Sequence, residues 1–163
     1  MKTSLKAILV SLALGAGACG GGSDGKDMAA FVGVWAPTAG TTTVTCSGAQ
    51  KTSPVDTNVV WARGSSSDLI QTTPNSSCVI HADVEGDTAS GVGTQTCVFT
   101  STDSYSGDPL STSVSLTAYT FVISGDGHTA TENFSGTLLQ TDNYTGLNTS
   151  CSYSETAGSY QKE

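Results

Sequence analysis

The chain has 163 residues, a formal net charge of −8 and 12% charged residues. Ser and Thr together supply 48 of the 163, which excludes coiled coils and helix bundles, built as they are from Ala, Glu, Lys, Leu and Arg. Six Lys+Arg against 14 Asp+Glu cannot neutralise many phosphates, so no nucleic acid is expected as a partner.

The chain opens on MKTSLKAILVSLALGAGAC. Lys2 and Lys6 make a positive n-region, Ala7 to Leu14 an apolar h-region, and Gly15 to Ala18 a run of small residues that a signal peptidase can admit. Residues 1–18 therefore read as a signal peptide, whose apolar run is shorter than the ~18 residues of a membrane-spanning helix. Ala16-Gly17-Ala18-Cys19 resembles the lipobox of bacterial lipoproteins, with Ala16 where Leu is commonest. The resemblance implies that Cys19 receives acyl chains (palmitate among them) and becomes the new amino terminus, fastening the protein to a membrane of the bacterial cell envelope. In that family Asp after the Cys favours the inner membrane; Gly20 stands there, so the outer membrane is favoured.

Residues 19–27 continue as a Gly-rich polar tether. Each buried methylene of an acyl chain contributes ~0.8 kcal/mol, and two or more chains anchor stably. Without residues 1–18 the chain keeps four Lys+Arg against 14 Asp+Glu, a formal −10, scattered rather than patched and suited to solubility.

With Cys19 lipidated, Cys46, Cys78, Cys97 and Cys151 form an even set in an oxidising compartment, and two disulfides are expected. None of these cysteines has the close Cys-x₂₋₄-Cys spacing of a zinc site. Ser77 to Glu85 and Thr94 to Thr100 read as strands flanking a turn near Gly86-Asp87. A hairpin there would set Cys78 opposite Cys97, leaving Cys46 for Cys151.

Residues 28–163 alternate short runs rich in Thr, Val, Tyr and Phe with turn signals such as Ser53-Pro54, Gly86-Asp87 and Gly125-Asp126-Gly127. Cys78, Ile80, Ala82 and Val84 share one face of a strand. Between Ser111 and Ser124 the apolar parity changes, with Val114 and Leu116 on one phase and Tyr119, Phe121 and Ile123 on the other, so a β-bulge is expected near Thr117-Ala118. Helical periodicity is confined to Asp27–Val32. The expected fold is all-β, a single antiparallel up-and-down barrel of roughly eight to ten strands, with a β-sandwich as the alternative. Gly33-Val34-Trp35 resembles the first-strand Gly-x-Trp of the calycin group (lipocalins, avidins and related barrels). There the Trp closes one end of the barrel, often beneath an Arg from a late strand; no Arg follows Arg63 here.

Little in the sequence speaks for catalysis. His81 lies on the polar parity of its strand and His128 follows a turn. His-Glu-x-x-His is absent, and Gly21-Gly22-Ser23-Asp24-Gly25 matches Gly-x-Ser-x-Gly within the tether, not on the strained strand–helix turn that motif requires. Asp83, Glu85 and Asp87 alternate at a strand end but lack a calcium-loop pattern. No catalytic residue, metal or cofactor is expected. The reading is a non-enzymatic binding domain that takes a small apolar ligand or an envelope partner protein such as a secreted hydrolase. If the fold is a barrel, Trp61, Tyr105, Tyr119 and Phe121 are the candidates to line its mouth. A structural or adhesive surface protein is the first alternative and a hydrolase the second.

Overall fold

A computed structural model of the chain describes residues 28–74, 78–102, 107, 109–142 and 145–163. The leader, Cys19, the tether and Tyr105 lie outside the described residues. One helical turn, α1 (Met28–Phe31), precedes ten strands: β1 (Gly33–Cys46), β2 (Ala49–Pro54), β3 (Val59–Arg63), β4 (Leu69–Thr72), β5 (Val79–Glu85), β6 (Thr88–Gly91), β7 (Gln95–Thr102), β8 (Pro109–Ile123), β9 (Thr129–Asp142) and β10 (Asn148–Lys162). The fold is all-β. Among the described residues no helix is long and apolar enough to cross a membrane.

The strands pair antiparallel in the order β10-β9-β8-β6-β5-β4-β3-β1, and β10 pairs with β1, so the sheet closes in a ring. The four long strands β1, β10, β9 and β8 run the length of the molecule. At one end the short strands β3 to β6 complete the ring between β1 and β8. At the other end β2 pairs with Thr41–Cys46 of β1 and β7 with Pro109–Leu116 of β8. Among the described residues no pairing joins β2 to β7. The molecule thus has a closed end and a split end.

Turn chemistry sets these connections. Ser47 and Gly48 both have positive φ (49° and 83°), the combination a two-residue hairpin turn needs to match strand twist. Gly86 (φ 60°) and Asp87 turn β5 back into β6. The strand opposite β5 is therefore Thr88–Gly91, and not Thr94 to Thr100 as expected from the sequence. The two-residue turn leaves the chain free to pair at once, and β7 then departs along the other half of β8. The disulfides are nonetheless Cys46–Cys151 and Cys78–Cys97. Cys46 and Cys151 are register partners in β1 and β10, 4.4 Å apart at Cα. Cys78–Cys97 ties the entry of β5 to β7 across strands that are not paired with each other.

Two bulges control which side chains face inward. In β8 Leu116 lies opposite Gly136 and Ala118 opposite Ser135, so Thr117 is the extra residue. Val114 and Leu116 before it, and Tyr119, Phe121 and Ile123 after it, are all buried. This is the bulge the change of parity required. A Cβ on Gly136 would come within 2.1 Å of the Ser115 carbonyl oxygen, so β9 can follow the bulge only with glycine there. In β10 Thr156 and Ala157 together face Asn133. Ala157 takes the left-handed conformation (φ 52°) and donates its N–H to Asn133 Oδ1 at 2.8 Å. Glu155 before this bulge and Tyr160 after it both turn inward.

The closed end is filled by aromatic side chains. Phe31, Trp35, Trp61 and Phe121 are buried, with Trp35 edge-on to Phe121 at 5.2 Å and Trp61 tilted to it at 5.3 Å. Truncating such a residue to Ala typically costs about 3–5 kcal/mol. α1 plugs this end with Phe31. Trp35 Nε1 donates to the Phe31 carbonyl at 2.7 Å and Lys162 Nζ to the Ala30 carbonyl at 2.6 Å, satisfying the end of the helical turn.

Gly136→Ala is expected to destabilise the domain by about 2 kcal/mol or more through the clash with β8, read as a lowered urea midpoint. Replacing the Cys46–Cys151 pair with serine should cost about 4–5 kcal/mol and the Cys78–Cys97 pair about 3, because the first closes 105 residues of chain and the second 19. Equal midpoints for the two variants would contradict this order.

Candidate functional site

Below the aromatic plug the interior is crossed by polar side chains. Inward positions of β4, β8, β9 and β10 carry Gln71, Tyr119, Glu132, Glu155 and Tyr160, each at most 5% exposed. Gln71 Nε2 donates to Tyr119 Oη at 2.7 Å and to Glu132 Oε1 at 2.8 Å. Tyr119 Oη in turn donates to Glu132 Oε1. Tyr160 Oη donates to Glu132 Oε2 at 2.7 Å. Both oxygens of Glu132 are thus held by donors from three different strands. Burial, with the carboxylate beside it, pushes the Tyr119 and Tyr160 phenols above their usual range.

Glu155 sits next to Glu132. Burial first, and the neighbouring carboxylate second, push its carboxyl up to about 8, so near neutral pH it is protonated. Its Oε1 is buried with no hydrogen-bond partner. Gly158 accommodates it: a Cβ there would lie 1.7 Å from that oxygen.

This polar layer is the floor of a cavity of about 640 Å³ on the split side, within the range of small-molecule sites. Val59, Ile80, Val114, Leu116, Phe134 and Tyr153 form its walls, and the Cys78–Cys97 disulfide lies in the wall between β5 and β7. The segment Ser53–Thr57, the end of β2 and the residues that follow it, forms a rim in which Ser53, Pro54, Asp56 and Thr57 are exposed. None of Phe31, Trp35, Phe121 or Leu69 lines it; the polar layer separates a solid end from a hollow one.

The four aromatic residues read from the sequence as lining separate accordingly. Tyr119 belongs to the cavity floor. Trp61 and Phe121 pack in the aromatic core, 1% and 0% exposed, and neither is a lining residue. Tyr105 lies outside the described residues. Sequence reasoning missed Gln71, Glu132, Glu155 and Tyr160. A signal was present in β9, where Glu132 shares parity with Ala130, Phe134 and Leu138, an acid on the apolar face of a strand.

The other polar groups offer less. His81 Nδ1 lies 3.2 Å from Ser67 Oγ, which superficially pairs a base with a hydroxyl. Ser67 Oγ donates its proton to the Leu69 carbonyl at 2.8 Å, so it receives a hydrogen bond from the imidazole and is not activated by it. Asp83, Glu85, Asp87 and His128 are exposed. Among the described residues no group of three or more His, Cys, Asp or Glu could hold a metal ion.

The raised Glu155 carboxyl makes a stability prediction. Unfolded, it titrates near 4.5; folded, near 8. The folded chain therefore binds the extra proton between these values. The stabilisation is complete below about pH 4.5 and is lost as the pH rises through about 8. Melting temperature should fall between about pH 5 and about pH 9, and Glu155→Gln should remove most of that slope. Comparison of the chain with protein-family models, with curated proteins and with solved structures finds no match, so the site has to be read from its own side chains.

Proposed function

We propose that the chain is a lipid-anchored lipoprotein of the bacterial cell envelope, with residues 28–163 acting as a non-enzymatic binding domain. The domain is an up-and-down, calycin-like barrel, and its ligand is a small molecule held in the cavity above Glu132. The observation that carries this reading is the 640 Å³ cavity with apolar walls and a polar floor in which three donors hold Glu132. Pockets of that size that join apolar walls to a few convergent polar groups are the usual form of a small-molecule site.

The calycin resemblance gains support from Trp35. It is fully buried at the closed end, and Lys162 of the last strand holds its Nζ over the indole ring at 5.5 Å from the centroid. A lysine thus takes the place of the late-strand arginine. The first described residue, Met28, stands beside the plugged end, so a tether from Cys19 would arrive there and leave the cavity toward the periplasm or the medium. Nine tether residues reach at most about 30 Å from the membrane surface.

Catalysis is disfavoured by the same floor. Glu132 is held in place by three donors, Gln71, Tyr119 and Tyr160, from three strands, an arrangement that binds and positions a carboxylate.

Two measurements test the reading. A neutral solvatochromic dye should bind with a blue-shifted emission, and Leu116→Trp, which fills the cavity from its wall, should weaken it about tenfold or more while the chain still unfolds cooperatively. Undiminished binding by the filled variant would remove the cavity as the site. Intact mass of the exported protein should show loss of residues 1–18 and added acyl chains on Cys19; retention of Met1 would refute the anchor.

A further inference from the structure

We propose that the cavity takes a small organic amine, its ammonium group seated on Glu132 and Glu155 and its apolar body against Ile80, Val114, Leu116 and Phe134. This rests on the cavity-binding reading above and specifies the ligand.

Three observations converge on a cation. Among the described residues the cavity lining is anionic with no counter-charge: Asp56, Glu132 and Glu155 line it, and no described Lys, Arg or His does. The described basic residue nearest in function, Lys162, is committed to the Ala30 carbonyl and Trp35 at the opposite end. Buried carboxylates are ordinarily paired, because an isolated charge removed from water costs several kcal/mol. Second, the floor offers acceptors and no spare donor. The Tyr119 and Tyr160 hydroxyls and the Gln71 amide already donate within the cluster. Third, Glu155, only 4% exposed and lining the cavity, has an oxygen with no partner.

An alcohol would donate one hydrogen bond and leave the charge unpaired. A carboxylate or phosphate would meet like charge. A metal ion finds too few ligands among the described residues. An ammonium presents three donors on a compact charge, enough to bridge two carboxyl groups, and the walls suit an alkyl or aryl body.

The proton on Glu155 then becomes the competitor. The groups facing Glu155 are Glu132 on β9, Tyr119 on β8, and Tyr153 and Tyr160 on its own strand, with Asp56 at the rim. The phenols stay protonated throughout the neutral range. When the ammonium seats, Glu155 gives its proton to water, one proton released per amine bound, and Glu132 and Glu155 both face the cation as carboxylates. Affinity should therefore climb by about tenfold per pH unit up to about pH 8 and level off above it.

The test uses the exported protein and three matched probes, n-hexylamine, n-hexanol and n-hexanoate, by titration calorimetry in buffers of different ionisation enthalpy. Hexylamine should bind at least tenfold more tightly than the other two at about pH 8, with close to one proton released at about pH 6 to 7. Glu155→Gln should bind hexylamine more weakly and with no pH dependence, and should keep its affinity for hexanol. Hexanol binding as tightly as hexylamine, both lost in Leu116→Trp, would overturn the ammonium seat and leave the cavity standing. Binding of none of the three, with the dye also unbound, would overturn both. The wild-type pH and probe series decides the matter even if Glu155→Gln fails to fold.

Discussion

The constraint on which the architecture depends is the burial of the Glu132 carboxylate in the middle of the ring with no basic residue beside it among the described residues. Such a charge would cost several kcal/mol if left bare. It is tolerated because Tyr119, Gln71 and Tyr160 reach it from β8, β4 and β10, one from across the interior and two from its neighbours in the sheet. Hydrogen bonds to a charged group are stronger than those between neutral groups, and each requires its strand to present the donor at one height and one phase. A slip of one residue in β8 or β10 would turn Tyr119 or Tyr160 outward and leave the carboxylate unsatisfied. The polar layer therefore specifies register more sharply than the apolar residues around it could.

The two bulges make that layer compatible with an apolar core. Were Thr117 an ordinary rung and not an extra residue, a strand that buries Val114 and Leu116 would expose Tyr119 and Phe121. Without Thr156 and Ala157, a strand that turns Glu155 inward would turn Tyr160 out. β9 lies between the two bulged strands and has no bulge of its own, so it carries Ala130, Glu132, Phe134 and Leu138 inward in unbroken alternation. Gly136 is the concession β9 makes, yielding its side chain so that the β8 backbone can approach.

Much of this was legible in the sequence, and the part that was not has a common cause. Short Thr- and Val-rich runs between turn residues gave the all-β class, and the parity change in Ser111–Ser124 located the Thr117 bulge, because both signals are local. The cysteine pairs were inferred correctly, yet through a hairpin that does not exist: β6 is only four residues long, and Thr88-Ala89-Ser90-Gly91 carries too little apolar character to stand out as a strand. Aromatic character alone does not tell a mouth residue from a core one. Trp61 and Phe121 belong to the plug, since which end of a strand is filled depends on α1 and on the strands opposite, none of which a single strand's pattern reports. Glu132 and Glu155 were passed over among fourteen acids because their partners lie 61 residues away for Gln71 and on neighbouring strands for the tyrosines, separations that no local motif spans.

The division into a solid and a hollow end also explains where the covalent staples fall. The closed end has Phe31, Trp35, Trp61 and Phe121 to hold it, and neither disulfide lies there. Both lie toward the split end, where β2 and β7 leave the ring unpaired and the interior holds a cavity instead of side chains. A cavity forfeits the contacts its lining atoms would otherwise make, and a disulfide offsets that loss without filling the space. Cys46–Cys151 locks β1 to β10 beyond the cavity, and Cys78–Cys97 fixes a wall where β5 and β7 have no backbone ladder between their described residues. A binding pocket in a domain this rich in Ser and Thr thus persists because cross-links do at the hollow end what aromatic packing does at the other.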